Sequence, residues 1–160
     1  MMVTMLDSSA EFACLEFVHN NDRWEEEPTE SARAAVDRFR VRLERILSDE
    51  AAGRGARDDD LEALDQVLSR AAAARGLVPT VRGYGWGWRR DPGPVVRRLF
   101  PAAWSAAQLL AGDLRHRLKC CDGCGRLFVD ASRNRSRRWC DMRACGNRAK
   151  VRKFRRRKDA

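Results

Sequence analysis

Five of the six cysteines in this chain fall between Cys120 and Cys145, and their spacing constrains the fold more than any other feature. Cys121 and Cys124 are two residues apart with glycines at 123 and 125, the pattern of a knuckle whose tight turn aims two sulfurs and several backbone N–H groups at one metal. Fifteen residues separate Cys124 from Cys140, and Cys145 follows after four more, a gap that carries a chain from a strand end into the first turn of a helix. Cys121, Cys124, Cys140 and Cys145 can therefore meet tetrahedrally around one structural Zn²⁺, although thiolate-only sites also suit iron. Cys120 offers a three-residue spacing to Cys124 in place of Cys121, and the two-residue spacing favours Cys121. Disulfides are the rival reading, disfavoured in a reducing compartment. Cys14 reads as a core residue, and His19 and His116, the two histidines, are not needed as ligands.

Between the cysteine pairs, residues 126–130 and 137–140 read as two short strands joined by the polar turn 131–136, with Phe128 and Trp139 forming a miniature core beside the metal. A knuckle, a hairpin and a following helix make a treble clef. So small a unit cannot fold by apolar burial alone. Structural zinc supplies the missing free energy, about 10 to 16 kcal/mol in finger peptides.

The net charge of +9 is unevenly distributed. Residues 1–120 hold 18 basic and 19 acidic side chains, whereas residues 121–160 hold 14 and 4, so the last quarter carries +10. Four thiolates and one Zn²⁺ would leave about +8 there. Such a field attracts polyanions, among which nucleic acid is the abundant one. Arg133, Arg135, Arg137 and Arg138 of the hairpin and Arg148, Lys150, Arg152, Lys153, Arg155 and Arg156 of the helix are the candidate phosphate contacts, arginine suiting phosphate through its planar fork. They ring the helix without an obvious reading face, so backbone contacts are expected to dominate.

The first 118 residues read as a mostly helical domain. Thr29 and Glu30 open a helix whose stripe of Val36, Phe39, Leu43 and Ile46/Leu47 ends at Gly53 and Gly55. Asp58 to Asp60 cap a second helix, with Leu61, Leu64 and Val67/Leu68 facing inward and Gly76 as its stop. Residues 78–90 alternate large and small side chains with three glycines, which suits a hairpin with Trp86 and Trp88 on one face. Asp91-Pro92 is expected to start a third helix, kinked or split at Pro101 and running to about Leu118. Residues 12–20 are strand or helix, and Asn20, Asn21 and Asp22 beyond them form either a turn or part of a ligand cleft. The fold class is α+β: a mainly helical domain with a short hairpin over 1–118, then a small finger with a basic helix over 119–160. No stretch approaches the roughly 20 apolar residues of a membrane span, and the N-terminus lacks a secretory pattern, which places the expected site of action in the cytoplasm, at the nucleoid if the chain binds DNA.

Around Cys145-Gly146-Asn147-Arg148, the run FVDASRNRSRRWCDMRACGNRAKVRKFRRR resembles the CGNR zinc finger. The preceding part, with CLEFVHN near its start, is similar to the ABATE domain, a family associated with stress-induced transcription regulation; Glu16, Phe17, Val18, His19 and Asn20 stand where relatives tend to have an Asp-Phe-Val-Asn-Thr type sequence. The resemblance implies DNA binding and transcription regulation; the first hypothesis is a regulator that binds duplex DNA, its N-terminal domain sensing a small-molecule effector or forming a homodimer. Asn147 is expected to donate to a ligand sulfur or cap the hairpin, and Arg148 to pair with Asp130, unless both contact DNA. The same charges also permit an RNA-binding module or a protein-interaction adaptor with a purely structural finger. An enzyme is disfavoured, because two histidines make no recognisable catalytic arrangement and a four-cysteine zinc has no open position for water.

Overall fold

The computed structural model describes residues 12–20 and 27–158, and in the C-terminal helix the side chains of Lys153, Arg156, Arg157 and Lys158 lie outside that description. So do Asn21 and Asp22, on which part of the expected ligand cleft depended.

Four helices build the N-terminal core. The first segment, undecided by pattern, is helix α1 (Ala13–His19), with Cys14, Leu15, Phe17 and Val18 buried. Helix α2 (Glu30–Ala51) starts as expected: the Thr29 hydroxyl accepts the Ala32 N–H at 3.2 Å, and Val36, Phe39, Leu43, Ile46 and Leu47 line its buried face. In α3 (Asp58–Ala74) the triple aspartate does not cap. Arg57 holds the cap position without a side-chain bond, and Asp60 turns inward to pair with Arg45, while Leu61, expected inside, is left exposed. A fully buried carboxylate there is tolerable because Arg45 engages both its oxygens, and that contact holds its pKa below the ordinary carboxylate range.

The antiparallel ribbon of β1 (Arg75–Thr80) and β2 (Gly83–Trp88) follows, with Gly76 already inside β1 rather than stopping the helix. Helix α4 (Pro94–Ala111) begins two residues later than expected. Asp91 accepts the Gly93 N–H at 3.0 Å, Gly93 takes φ 81°, and Pro94, not Pro92, occupies the first turn. Pro101 does not split it, because it lies on the exposed side where the orphaned Arg97 carbonyl can be hydrated. On the inner side Ala102, Ala103 and Ala106 let α1 approach closely enough for the Ser105 hydroxyl to accept the Cys14 N–H at 3.3 Å.

The expected continuation of this helix to Leu118 is not found. After Ala111 the chain makes a 3₁₀ turn (Asp113–Arg117) and then strand β3 (Leu118–Cys120), which pairs with β4 (Leu127–Val129). That hairpin has two different faces. Cross-strand partners share a face, so Leu118 and Val129 with Cys120 and Leu127 point one way and Lys119 with Phe128 the other. Leu118 and Leu127 join the buried core with α1, α2 and α4, while Phe128 packs with Cys121 and Cys145. One hairpin is thus a wall common to the helical core and the cysteine module.

Candidate metal centre

Cys121 and Cys124 flank the turn between β3 and β4, where the Gly125 N–H donates to the Cys121 carbonyl at 2.9 Å and Gly125 takes φ 73°. Gly123 matters for a different reason. A Cβ there would meet Cys145 Cβ at 3.1 Å, a tight contact that the two halves of the site would have to relieve by a small shift. Cys145 lies in a π-helical turn (Met142–Gly146) that leads into α5 (Asn147–Lys158), and Asp141 caps this turn by accepting the N–H groups of Arg143 at 2.6 Å and Ala144 at 3.0 Å.

The four sulfurs of Cys121, Cys124, Cys140 and Cys145 all lie within 4.8 Å of one another, with 3.7 Å between Cys124 and Cys140 and 3.9 Å between Cys140 and Cys145. A tetrahedron of sulfurs about 2.3 Å from a central Zn²⁺ has edges of ~3.8 Å, so the cage fits one zinc ion. Cys120, the alternative first ligand, is exposed and outside the group. Electrostatics agrees with geometry. Burial opposes ionisation of Cys121, but the backbone bonds of Cys140, Gly123 and Cys124 outweigh it and bring the thiol down to about 6. Burial and the neighbouring sulfurs push Cys140 up to about 12. Cys140 is thus held back from ionising beside Cys121, and a divalent cation at the centre is what would stabilise both thiolates.

Around the cage, the expected strand at 137–140 is absent. Asp130 organises that segment instead: fully buried, it accepts from Lys119 Nζ at 2.8 Å, Ser132 N at 3.0 Å, Ser132 Oγ at 2.6 Å and the Arg137 N–H at 2.9 Å. Burial works against the charge, yet these donors hold Asp130 well below the usual carboxylate range. With its backbone groups bonded one by one by the side chains of Asp130, Lys119 and Arg117, the loop has no need of a strand ladder. Arg148, expected on Asp130, donates to Cys145 Sγ at 3.1 Å. The three-residue offset on a helix places it on the sulfur's own face, a signal legible in the sequence. Gly146 leaves room for Met142 Sδ and the Trp139 ring, and Trp139 joins Phe128 beside the ligands as expected.

Two further candidate arginines are engaged inside the module. Arg137 donates to the Cys140 carbonyl at 2.6 Å and stacks over Phe128, and Arg138 pairs with Asp122 at 2.7 Å over the Trp139 ring. Arg133, Arg135, Lys150, Arg152 and Arg155 are exposed. Sequence reasoning missed the residues that tie the module to the helices. His19 Nε2 donates to the Leu127 carbonyl at 3.1 Å, and Arg117 donates to the carbonyls of Asp130 and Ser132 at 3.0 and 2.8 Å.

No helix among the described residues is long and apolar enough to cross a membrane. Residues 117–158 match the CGNR zinc finger, and residues 13–113 match the ABATE family, whose description reads "Putative stress-induced transcription regulator". A search of the curated proteins finds no match. The match over residues 13–113 takes in more than half of the chain, and with the four-sulfur cage where the finger should hold its metal, the chain belongs to the ABATE family and ends in a CGNR zinc finger.

Proposed function

We propose that this protein is a zinc-dependent regulator that grips duplex DNA with its finger and helix α5, acting in the cytoplasm at the nucleoid. The observation that carries the reading is the one-sided charge: +10 on residues 121–160, beside -1 on the remainder. Phosphate contacts are assigned to the exposed Arg133 and Arg135 of the loop and to Lys150, Arg152 and Arg155 of α5, with Lys153 and Arg156 continuing the same helix. Arg143, Asn147, Arg148, Val151, Arg152 and Arg155 line a shallow depression along α5, and the helix itself is an element that a major groove admits. Arg137, Arg138 and Arg148 then serve chiefly by holding the loop, the knuckle and a ligand sulfur. The N-terminal domain reports a small-molecule effector or homodimer formation, and the two-faced hairpin β3–β4 gives it a mechanical route to the finger.

Anisotropy titrations of the zinc-loaded protein against duplex DNA over a range of salt test this. With about five phosphates neutralised, the log–log slope should be roughly -4.5. The combined Arg133→Ala, Arg135→Ala, Arg152→Ala and Arg155→Ala variant should bind at least tenfold more weakly with a flatter slope and full zinc content. Unchanged affinity would refute the assignment.

A further inference from the structure

The ribbon β1–β2 turns its large apolar side chains to solvent. Its register sets Leu77 opposite Trp86 and Pro79 opposite Tyr84, so these four share a face. Leu77 is 61% exposed, Tyr84 79% and Trp86 64%. The other face carries Gly83, Gly85 and Gly87, and a Cβ on Gly87 would fall 2.6 Å from Val78 Cγ2. An amphipathic ribbon ordinarily hides its larger side chains. The reversal here marks a surface meant to be covered. Toward the ribbon's base the aromatic strip continues, with Trp88 edge-on to Phe100 at 5.5 Å and Arg75 stacked over both rings at 5.1 and 4.6 Å.

Charge indicates what covers it. Residues 75–90 contain Arg75, Arg82, Arg89 and Arg90 and no carboxylate. A second copy laid face to face would set Arg82 of the hairpin tip against its counterpart in one orientation, and against Arg75, on the same face at the ribbon's base, in the other. Both juxtapose like charges. A partner that is anionic and yet presents planar apolar surface satisfies aromatic rings and arginines together, and unpaired nucleotides have both properties.

The geometry points to a stacking platform for single-stranded nucleic acid on the β1–β2 face, Tyr84 and Trp86 each taking a base while Arg82 reaches a phosphate. This surface is separate from the finger and goes beyond the duplex reading.

The test uses the full-length zinc-loaded protein, with a fluorescent thymidine oligomer and a duplex titrated in parallel. Both rings are exposed, so the combined Tyr84→Ala and Trp86→Ala variant should keep its helical circular dichroism and zinc. Single-strand affinity should fall about tenfold or more, as loss of stacked bases implies, with duplex affinity unchanged. The Tyr84→Phe and Trp86→Phe pair, which keeps the rings, should retain most of it. Failure of the wild type to bind the oligomer, equal affinity in the alanine variant, or equal loss in the phenylalanine pair would overturn the platform. A dimer in sedimentation that the alanine variant abolishes, with oligomer binding intact, would give the face to a second copy instead. If duplex binding alone fails, the finger's assignment falls and the platform stands.

Discussion

In the helical part, Leu43 and Leu47 of α2 are completely enclosed within a cluster that, among the described residues, draws on all four helices and the hairpin β3–β4. In the finger, the corresponding cluster among the described residues is Cys121, Phe128 and Cys145, two of them metal ligands. The first region is ordered by area removed from water and the second by converging sulfurs and the buried carboxylate of Asp130. Side chains per residue therefore say little about stability when a cation is part of the core. The two regions are nonetheless not independent, because Leu118 and Leu127 of one hairpin belong to the helical cluster while Phe128 on its other face belongs to the finger.

Metal removal should break the comparison most sharply. Chelation, or Cys121→Ser, should unfold the finger beyond β4, a loss of about 10 to 16 kcal/mol of apparent free energy for that module, while α1 to α4 keep their circular dichroism. Cys120→Ser should retain the metal. Melting of the helices on chelation would show that the common hairpin makes the two regions one cooperative unit. Leu43→Ala is the converse experiment. It should lower global stability in urea by about 2 to 5 kcal/mol and leave zinc affinity where it was. A smaller effect is expected from Arg148→Ala, which removes the 3.1 Å bond to Cys145 Sγ and should weaken zinc binding about 10- to 100-fold in a competition assay, without changing the helical core.

Much of this division was legible in the sequence. The stripe from Val36 to Leu47 and the cap at Thr29 specify α2 because each local preference agrees with its burial. The ligand set was suggested by spacing, since two residues between Cys121 and Cys124 with a glycine at 123 suit a tight turn around a metal, and the convergence of the four sulfurs leaves Cys120 outside. What could not be read depends on partners distant in sequence. Asp60 looks like a cap until Arg45, fifteen residues earlier, is seen beside it. Residues 137–140 read as a strand because Arg-Arg-Trp-Cys fits one, but the Asp130 carboxylate accepts the Arg137 N–H and the Asp122 N–H donates to the Arg138 carbonyl, isolated bonds that replace a ladder. The path after Ala111 continues an apolar helical pattern with Leu114, and only the pairing of Leu118 with Val129 explains why the chain extends there. The same dependence on distant partners hid His19, whose acceptor is the carbonyl of Leu127.

The central claim is that four sulfurs hold one zinc ion. Native mass spectrometry with X-ray absorption on protein purified without added metal tests it directly. One zinc per chain, bound by four sulfurs at about 2.3 Å and lost in Cys121→Ser but not in Cys120→Ser, is the expected result. A folded finger without metal, or a zinc shell containing nitrogen or oxygen, would contradict it.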